Sequence, residues 1–182
     1  MRIILASASP RRKEILTRLG YKFDIINSAV KENTSKKRPF AVVKDLALKK
    51  AFSVAALYPD ALVIAGDTLV YCKGEILGKP KNQKDALRLL KKENGSWQSV
   101  YSGLALVCKN KKQIICGYEV SLCKARKLDQ ETLQKLSFKH LDKAGAYAMQ
   151  DKNDMFIEKV IGSKDNVVGF PSELFKEMIK KL

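Results

Sequence analysis

The most apolar strand candidate in this chain is the run over residues 61–65, Ala-Leu-Val-Ile-Ala, and an acid, Asp67, follows it almost at once. A fully apolar run of this length predicts a strand buried within a sheet. Open α/β sheets place their ligands beyond the carboxyl ends of such strands. A carboxylate there must be solvated, paired or metal-bound, because burying it alone is too costly. Asp67 is therefore a candidate functional residue, and the alternative is an ordinary Gly-Asp-Thr turn.

Strand-like and helix-like segments alternate along the rest of the chain, which is typical of an α/β fold. Short apolar runs predict strands over residues 2–5 and 21–27, and apolar residues at helical spacing predict a helix from residue 39 to about residue 57. Residues 100–108 and 113–122 alternate around a polar turn, which predicts a β-hairpin and an antiparallel portion of the sheet.

Capping residues and prolines mark the remaining elements. Asn82 and Asp129 are the predicted N-caps of two helices. A further strand is predicted over residues 156–160, and an apolar stripe predicts a C-terminal helix after Pro171.

Residues 5–12, Leu-Ala-Ser-Ala-Ser-Pro-Arg-Arg, join the first strand to a helix. Ser9 is predicted to cap that helix, and the proline suits its first turn. The junction brings the hydroxyl of Ser7 and the guanidinium groups of Arg11 and Arg12 to a helix N-terminus, where anions bind and arginines contact phosphate oxygens in pairs. The alternative is an ordinary strand–helix turn with exposed basic residues, and local composition does not decide between them.

Three more polar residues stand at informative positions. Lys50 falls on the apolar stripe of the predicted helix 39–57, where it either extends its ammonium to the surface, the more common outcome, or points into a cleft. Glu32 is the sole acid in the basic loop over residues 31–39; such a residue is usually solvated, and the alternatives are a metal ligand or a polar contact in a cleft. Lys79 is presented by a glycine-punctuated turn over residues 74–80.

Composition limits the class of protein. The net charge is +16, but the lysines are scattered and aromatic residues do not interleave with them, which argues against nucleic-acid binding. The four cysteines form no C-x-x-C pair and there is one histidine, so we expect reduced thiols in a cytosolic protein rather than a zinc site or a disulfide framework. No apolar run reaches the length of about 20 residues that a membrane span needs, and the N-terminal pattern does not predict a signal peptide.

Five short motifs stand in order along the chain: residues 7–12 (SASPRR), 66–68 (GDT), 78–80 (GKP), 142–147 (DKAGAY) and 166–169 (NVVG). In this order they resemble the Maf family of nucleoside triphosphate pyrophosphatases, once described as septum-formation inhibitors. The resemblance covers nearly the whole chain, and five motifs in order are far more specific than any one alone.

The resemblance implies one Maf-like nucleotide pyrophosphatase domain over residues 1–182. Its fold would be mixed α/β and similar to that of ITPases: a largely twisted sheet flanked by helices, in two lobes with a central cleft. The resemblance also implies a cytoplasmic protein, often a homodimer, whose partner is a nucleoside triphosphate rather than a specific nucleic acid or a membrane.

The implied reaction is hydrolysis of the α–β phosphoanhydride bond, which yields a monophosphate and pyrophosphate with a divalent cation, Mg²⁺ or Mn²⁺. The pair Asp67-Thr68 resembles the branch of the family that acts on dTTP and UTP. The implied role is house-cleaning, and modified pyrimidine nucleotides are alternative substrates.

The resemblance also implies roles for individual residues of this sequence. Asp67 matches the catalytic acid, and Asp67 and Glu32 are the implied metal ligands. The implied substrate-binding residues are Ser7, Arg11, Arg12, Glu32, Lys50, Thr68, Lys79 and Gln150. Among these, Arg11, Thr68 and Gln150 match positions linked to substrate choice. An unperturbed aspartate is a weak base, with a pKa of about 3.9, so Asp67 acts either as a metal ligand that orients water or, if its site raises its pKa, as a base.

The chain departs from the family pattern at several positions. Ala148 and Asp151 flank the Met149-Gln150 pair where the family usually has glycines, and Gln98 stands where a histidine is usual. Two other functions stay open at this stage. One is a basic regulatory protein that acts in cell division or septum formation without catalysis. The other is a dinucleotide-binding protein, against which the lack of a G-x-G-x-x-G motif after the first strand argues.

Overall fold

The computed structural model describes residues 1–149 and 155–182. The helices are α1 (Pro10–Arg18), α2 (Pro39–Ala55), α3 (Gln83–Glu93), α4 (Gln130–Leu136), α5 (Lys164–Val168) and α6 (Ser172–Ile179). The strands are β1 (Ile3–Leu5), β2 (Asp24–Ile25), β3 (Leu62–Cys72), β4 (Glu75–Leu77), β5 (Trp97–Cys108), β6 (Gln113–Ala125) and β7 (Ile157–Ile161). A short 3₁₀ turn spans Ala144–Ala146.

The strands form one mixed, seven-stranded sheet in the order β2-β1-β3-β5-β6-β7, with β4 paired to β3 off this path. Strand β1 is parallel to both β2 and β3, whereas β3–β4 and β6–β7 are antiparallel pairs. The mixed α/β fold predicted from the alternating segments is confirmed, as is the β5–β6 hairpin.

Contacts divide the chain into two compact units. The first unit comprises Met1–Asp67, Ser102–Glu119 and Gly169–Leu182. Its core forms where the small-residue face of α2 packs against apolar residues of β1 and β3, and it includes Ile4, Ala47, Ala51, Val63 and Ala65. Alanines along α2 let that helix lie close to the sheet.

The second unit comprises Thr68–Tyr101 and Val120–Val168. The amphipathic helix α3 supplies Ala86, Leu89 and Leu90 to its core, and Phe156 is fully buried in the same cluster. The predicted helix caps of this unit are confirmed: the side chain of Asn82 accepts a hydrogen bond from Asp85 N at 2.9 Å, and that of Asp129 accepts one from Thr132 N at 2.8 Å.

The predicted end of the central strand is wrong. Strand β3 continues through the Gly-Asp-Thr motif to Cys72, because its second half finds a new antiparallel partner in β4. The pairing of β3 with β1 runs only as far as Ile64, so Asp67 lies beyond the carboxyl end of β1 but in the middle of its own strand rather than in a turn.

Two smaller predictions also need correction. Strand β2 has two residues rather than seven, because its partner β1 is itself only three residues long. Ser9 occupies the N-cap position of α1, but its side chain makes no capping hydrogen bond. The turn is held instead by Ser7, whose Oγ accepts the Ser9 N–H at 3.2 Å.

Within residues 1–149 and 155–182, none of the helices has the length and apolarity that a membrane crossing requires. The single domain, the central cleft and the homodimer stay predictions.

Candidate active site

The junction between β1 and α1 fixes an arginine. Arg12 Nε donates to the carbonyl oxygen of Gly169 at 2.9 Å, and its Nη1 donates to Ser7 Oγ at 3.1 Å. Ser7 itself is buried, with 8% of its surface exposed. Because two hydrogen bonds hold the planar guanidinium, little side-chain freedom is left to be lost when an anion binds.

Helix α2 and strand β3 bring Lys50 and Asp67 together. The Lys50 ammonium lies 2.7 Å from Asp67 Oδ1 and 2.7 Å from Glu32 Oε1. The side chains of Lys50 and Asp67 are each 11% exposed, whereas that of Glu32 is 52% exposed. Of the two alternatives for Lys50, the more common surface position is not adopted, because two carboxylates hold its ammonium beside the sheet. Glu32 makes a polar contact there rather than standing free in a solvated loop.

Burial decides the electrostatics of the aspartate. Desolvation raises the pKa of the Asp67 carboxyl above its ordinary value, although the charges of Lys50 and Arg12 act in the opposite direction. Burial likewise lowers the pKa of Arg12, which the nearby Asp67 charge opposes. Arginine stays protonated in proteins, so the site retains its positive charge. A raised pKa brings Asp67 closer to the range in which a carboxylate acts as a general base.

A close backbone contact sets the position of α2. At Gly103, in β5, an added Cβ would lie 2.3 Å from the carbonyl oxygen of Val43. Real Cβ atoms do not approach a carbonyl so closely, so a side chain at this position would push the helix away from the sheet. Space is also limited at Gly66, beside Asp67: a Cβ there would lie 3.1 Å from Gly103 O and 3.4 Å from Arg12 Nε.

The carboxylates offer a partial ligand set for a divalent cation. Within the described part of the chain, no cluster of three or more His, Cys, Asp or Glu side chains is arranged to hold a metal ion. Glu32 and Asp67 nevertheless converge on one ammonium. Mg²⁺ is commonly held by one or two carboxylates together with substrate phosphates and water. The pair therefore fits a metal that binds together with its substrate.

Four other site residues are predicted from the sequence. Arg11 is half-buried in the first turn of α1, and Lys79 is exposed in the turn after β4. Thr68 follows Asp67 within β3, and consecutive side chains of a strand point to opposite faces of the sheet. Gln150 lies outside the described residues. Substrate binding by Arg11, Thr68, Lys79 and Gln150 stays a prediction.

Two elements of the site leave little or no signal in the sequence. The Gly169 carbonyl, which holds Arg12, belongs to the NVVG motif, but a backbone acceptor leaves no mark in a sequence. The role of Gly103 is visible only as a glycine in the middle of a predicted strand, which often marks a close approach of another backbone.

The fold and the site together define a class of protein. An α/β sheet carries a fixed arginine at a helix N-terminus, next to a buried lysine–carboxylate pair, which is suited to a phosphate-bearing ligand. The sequence model of the family described as Maf-like protein matches residues 2–182, and the chain belongs to this family.

Curated relatives cover the chain from end to end. A protein of Elusimicrobium minutum named dTTP/UTP pyrophosphatase is 59% identical over 181 residues, which are 100% of this chain and 98% of that protein. A protein of Aquifex aeolicus with the same name is 38% identical over 184 residues, covering 100% of this chain and 96% of that protein. Among solved structures, the Ham1 protein of Staphylococcus aureus has the same type of fold, with a TM-score of 0.50 and 13% identity over 69% of this chain and 72% of that chain.

Proposed function

We propose that this protein is a nucleoside triphosphate pyrophosphatase that hydrolyses dTTP and UTP to the monophosphate and pyrophosphate. Its relatives named dTTP/UTP pyrophosphatase, one of them 59% identical over the full chain, support this activity. The single observation that carries the chemistry is the buried Asp67 carboxylate, 2.7 Å from the Lys50 ammonium. That pair combines a candidate base with a cation for phosphate.

In this proposal Asp67 accepts the proton of the attacking water. The raised pKa of its carboxyl favours this role, because a base works best when its pKa lies near the ambient pH. Lys50 orients the Asp67 carboxylate through their hydrogen bond and offers positive charge to the phosphate oxygens. As the water attacks, an oxygen–phosphorus bond forms and the bond to the bridging oxygen breaks, and pyrophosphate leaves.

Positive charge for the triphosphate is proposed to come from several segments. A triphosphate brings about four negative charges, so cations must approach it from more than one side. Arg12 is already fixed by Ser7 and Gly169, and Arg11 follows the same helix start. Lys79 is proposed as a further phosphate ligand on the strength of its motif.

A divalent cation, Mg²⁺ or Mn²⁺, is proposed as the cofactor, with Asp67 and Glu32 as its protein ligands. When bound, such an ion lowers the pKa of a water molecule and neutralises phosphate charge. We expect chelation by EDTA to remove turnover and an excess of Mg²⁺ to restore it.

Selectivity for pyrimidines is proposed to depend on Thr68 and Gln150. The amide of Gln150 can match the donor and acceptor edge of uracil or thymine. When a pocket that forms hydrogen bonds with one base holds a different base, some polar groups of the pocket are left unpaired. Each unpaired buried group costs about 1–3 kcal/mol. We therefore expect kcat/KM for dTTP and UTP to exceed that for ATP and GTP by at least about 10-fold.

A screen of nucleoside triphosphates for pyrophosphate release, with Mg²⁺ or Mn²⁺, tests the proposal. Metal-dependent release from dTTP and UTP is the expected result. Equal or better use of purine triphosphates would overturn the pyrimidine assignment and leave the chemistry standing. No pyrophosphate release from any nucleotide by the folded protein would overturn the enzymatic function itself.

A further inference from the structure

Glu32 is held at the active site by a segment that has no regular structure of its own. Helices and strands are absent between Ile25 and Pro39, a stretch that lies wholly within the described residues. The Glu32 side chain is half exposed, yet its Oε1 lies 2.7 Å from Lys50 Nζ. Solvent screens the Glu32 half of this ion pair, so the pair holds the segment less firmly than a fully buried one would. The ion pair alone is therefore a weak reason for the segment to stay in place.

One edge of helix α2 provides additional anchors for this segment. Asp45, Lys49 and Ser53 are spaced four residues apart, so they lie on one side of the helix. Lys49 Nζ donates to the carbonyl oxygen of Asn33 at 2.9 Å, and the Ser53 and Ser28 hydroxyls are 3.0 Å apart. These two contacts lie on either side of Glu32 in the sequence.

Asp45 in turn fixes Lys49. Its Oδ2 lies 2.8 Å from Lys49 Nζ, one turn further along the helix. A hydrogen bond from Lys49 is the largest cause that lowers the pKa of the Asp45 carboxyl, and a hydrogen bond from Thr34 is the second. Asp45 therefore also contacts the segment directly, through Thr34. Lys49 is thus held from one side by a carboxylate while it holds the backbone on the other.

We propose that Lys49 is a positioning residue for the reaction: through the carbonyl oxygen of Asn33, it holds the adjacent Glu32 carboxylate on the Lys50 ammonium that Glu32 shares with Asp67. This inference rests on the proposed function of the same site. It assigns to Lys49 no contact with the substrate. The neighbouring lysines of α2 thereby have separate tasks, since Lys50 faces the carboxylates of the site and Lys49 faces the segment that delivers one of them.

The geometry predicts a loss in kcat rather than a loss of fold. The side chain of Lys49 is 40% exposed and that of its partner Asp45 is 25% exposed, so removing the lysine leaves a partly solvated carboxylate on the helix rather than a fully buried one. A misplacement of about 1 Å at a reacting group can cost up to about 100-fold in rate. Because Ser28 and Lys50 still hold the segment, we expect Lys49→Met to lower kcat by about 3- to 10-fold.

Two readouts separate positioning from other effects. Trypsin cleavage after Lys31, Lys36 or Lys37 reports the anchoring of the segment without reference to activity. A double-mutant cycle with Glu32→Gln reports whether Lys49 acts through Glu32, since residues that act through one another are not additive. A matched control is Lys135→Met, which removes the same type of i,i+4 ion pair, here with Glu131 at 2.7 Å on α4.

The experiment compares Lys49→Met, Lys49→Arg and Lys135→Met, with the first also made in the Glu32→Gln background. We expect Lys49→Met to speed cleavage and lower kcat, Lys49→Arg to restore both at least halfway, and Lys135→Met to change neither. In the Glu32→Gln background, Lys49→Met should lower kcat by less than about 2-fold. Full additivity there, unchanged kcat in Lys49→Met, or faster cleavage without a loss of kcat would each overturn the inference. Absence of turnover in the unmutated protein would instead overturn the proposed function.

Discussion

The Lys50 ammonium and the Asp67 carboxylate, 17 residues apart in the chain, meet at 2.7 Å in a buried ion pair. Burying two charges is expensive, and removing one partner leaves the other uncompensated. Glu32 shares the same ammonium, so the arrangement carries two carboxylates on one lysine. The net negative charge of this group and the fixed cation of Arg12 together form a site that binds both a metal ion and phosphate in our proposal.

Asp67→Asn is expected to keep the fold and lower kcat by at least about 100-fold, because the amide cannot accept the proton of the attacking water. Steady-state pyrophosphate release measures the loss, and circular dichroism checks the fold. Asp85→Asn is a suitable control, since Asp85 pairs with Arg88 on α3 and is not a proposed site residue. Near-normal turnover of folded Asp67→Asn would rule out Asp67 as the base.

Parts of the fold were predictable because they follow local rules. Asn82 and Asp129 cap their helices as expected, since an N-cap depends only on the residues next to it. The course of β3 beyond Gly66 was not predictable in this way. It depends on pairing with β4, which lies later in the chain.

The sequence predicted which residues form the candidate site better than it predicted where they lie. The apolar run before it singled out Asp67, and the family resemblance implied a substrate-binding role for Lys50, whereas spacing alone favoured a surface position for the lysine. Its buried position depends on how closely α2 approaches the sheet, and thus on a backbone contact at Gly103. The course of the segment that carries Glu32 likewise depends on tertiary contacts with α2, for which the sequence carries no periodic signal.

Removing cations is expected to have unequal effects. Arg11→Ala, Lys50→Ala and Lys79→Ala should each lower kcat/KM for dTTP by at least about 10-fold, because each removes a charge proposed to contact the triphosphate. Lys111→Ala, in the turn between β5 and β6, is the control. Equal losses in all four variants would indicate diffuse electrostatics instead of specific contacts.

Gly103→Ala is expected to reduce both stability and activity. The new methyl group would lie 2.3 Å from the Val43 carbonyl oxygen, so α2 must move and take Lys50 with it. Overpacking of this kind typically costs about 1–3 kcal/mol. Gly117→Ala is the matched control, because its methyl group would meet only the flexible end of Leu174, at 3.1 Å. Urea unfolding and kcat would be measured for both, and equal stability of the two variants would contradict the proposed close contact.

Glu93 is a buried acid of the second unit that has no role in the proposed reaction. It lies on the apolar face of α3, and none of its surface is exposed. Neither carboxylate oxygen has a hydrogen-bond partner among the described residues. Gly145 packs directly against it, since a Cβ there would lie 2.7 Å from Glu93 Oε1. Desolvation therefore raises the pKa of the Glu93 carboxyl well above its ordinary value.

Glu93→Gln is expected to gain stability relative to the parent protein as the pH rises. In the unfolded chain Glu93 loses its proton near its ordinary pKa of about 4.3, whereas the folded protein keeps that proton to higher pH. Between these two pKa values the native state binds more protons than the unfolded state, so the free energy of unfolding falls with rising pH by up to about 1.4 kcal/mol per unit. Glutamine has no proton to lose, and this part of the pH dependence should disappear.

Urea unfolding of the parent protein and of Glu93→Gln, at intervals from pH 4 to pH 8, measures the effect. The two proteins should be closest in stability at pH 4, and the variant should gain on the parent at each step above it. Glu131→Gln is the control, because the Glu131 side chain is 79% exposed and should shift stability little at any pH. The nearby Cys72, Cys123 and Tyr147 do not complicate the comparison, since burial raises the pKa of each of these groups and none ionises in this range. Parallel stability curves for parent and Glu93→Gln would show that the carboxyl is solvated or paired in solution.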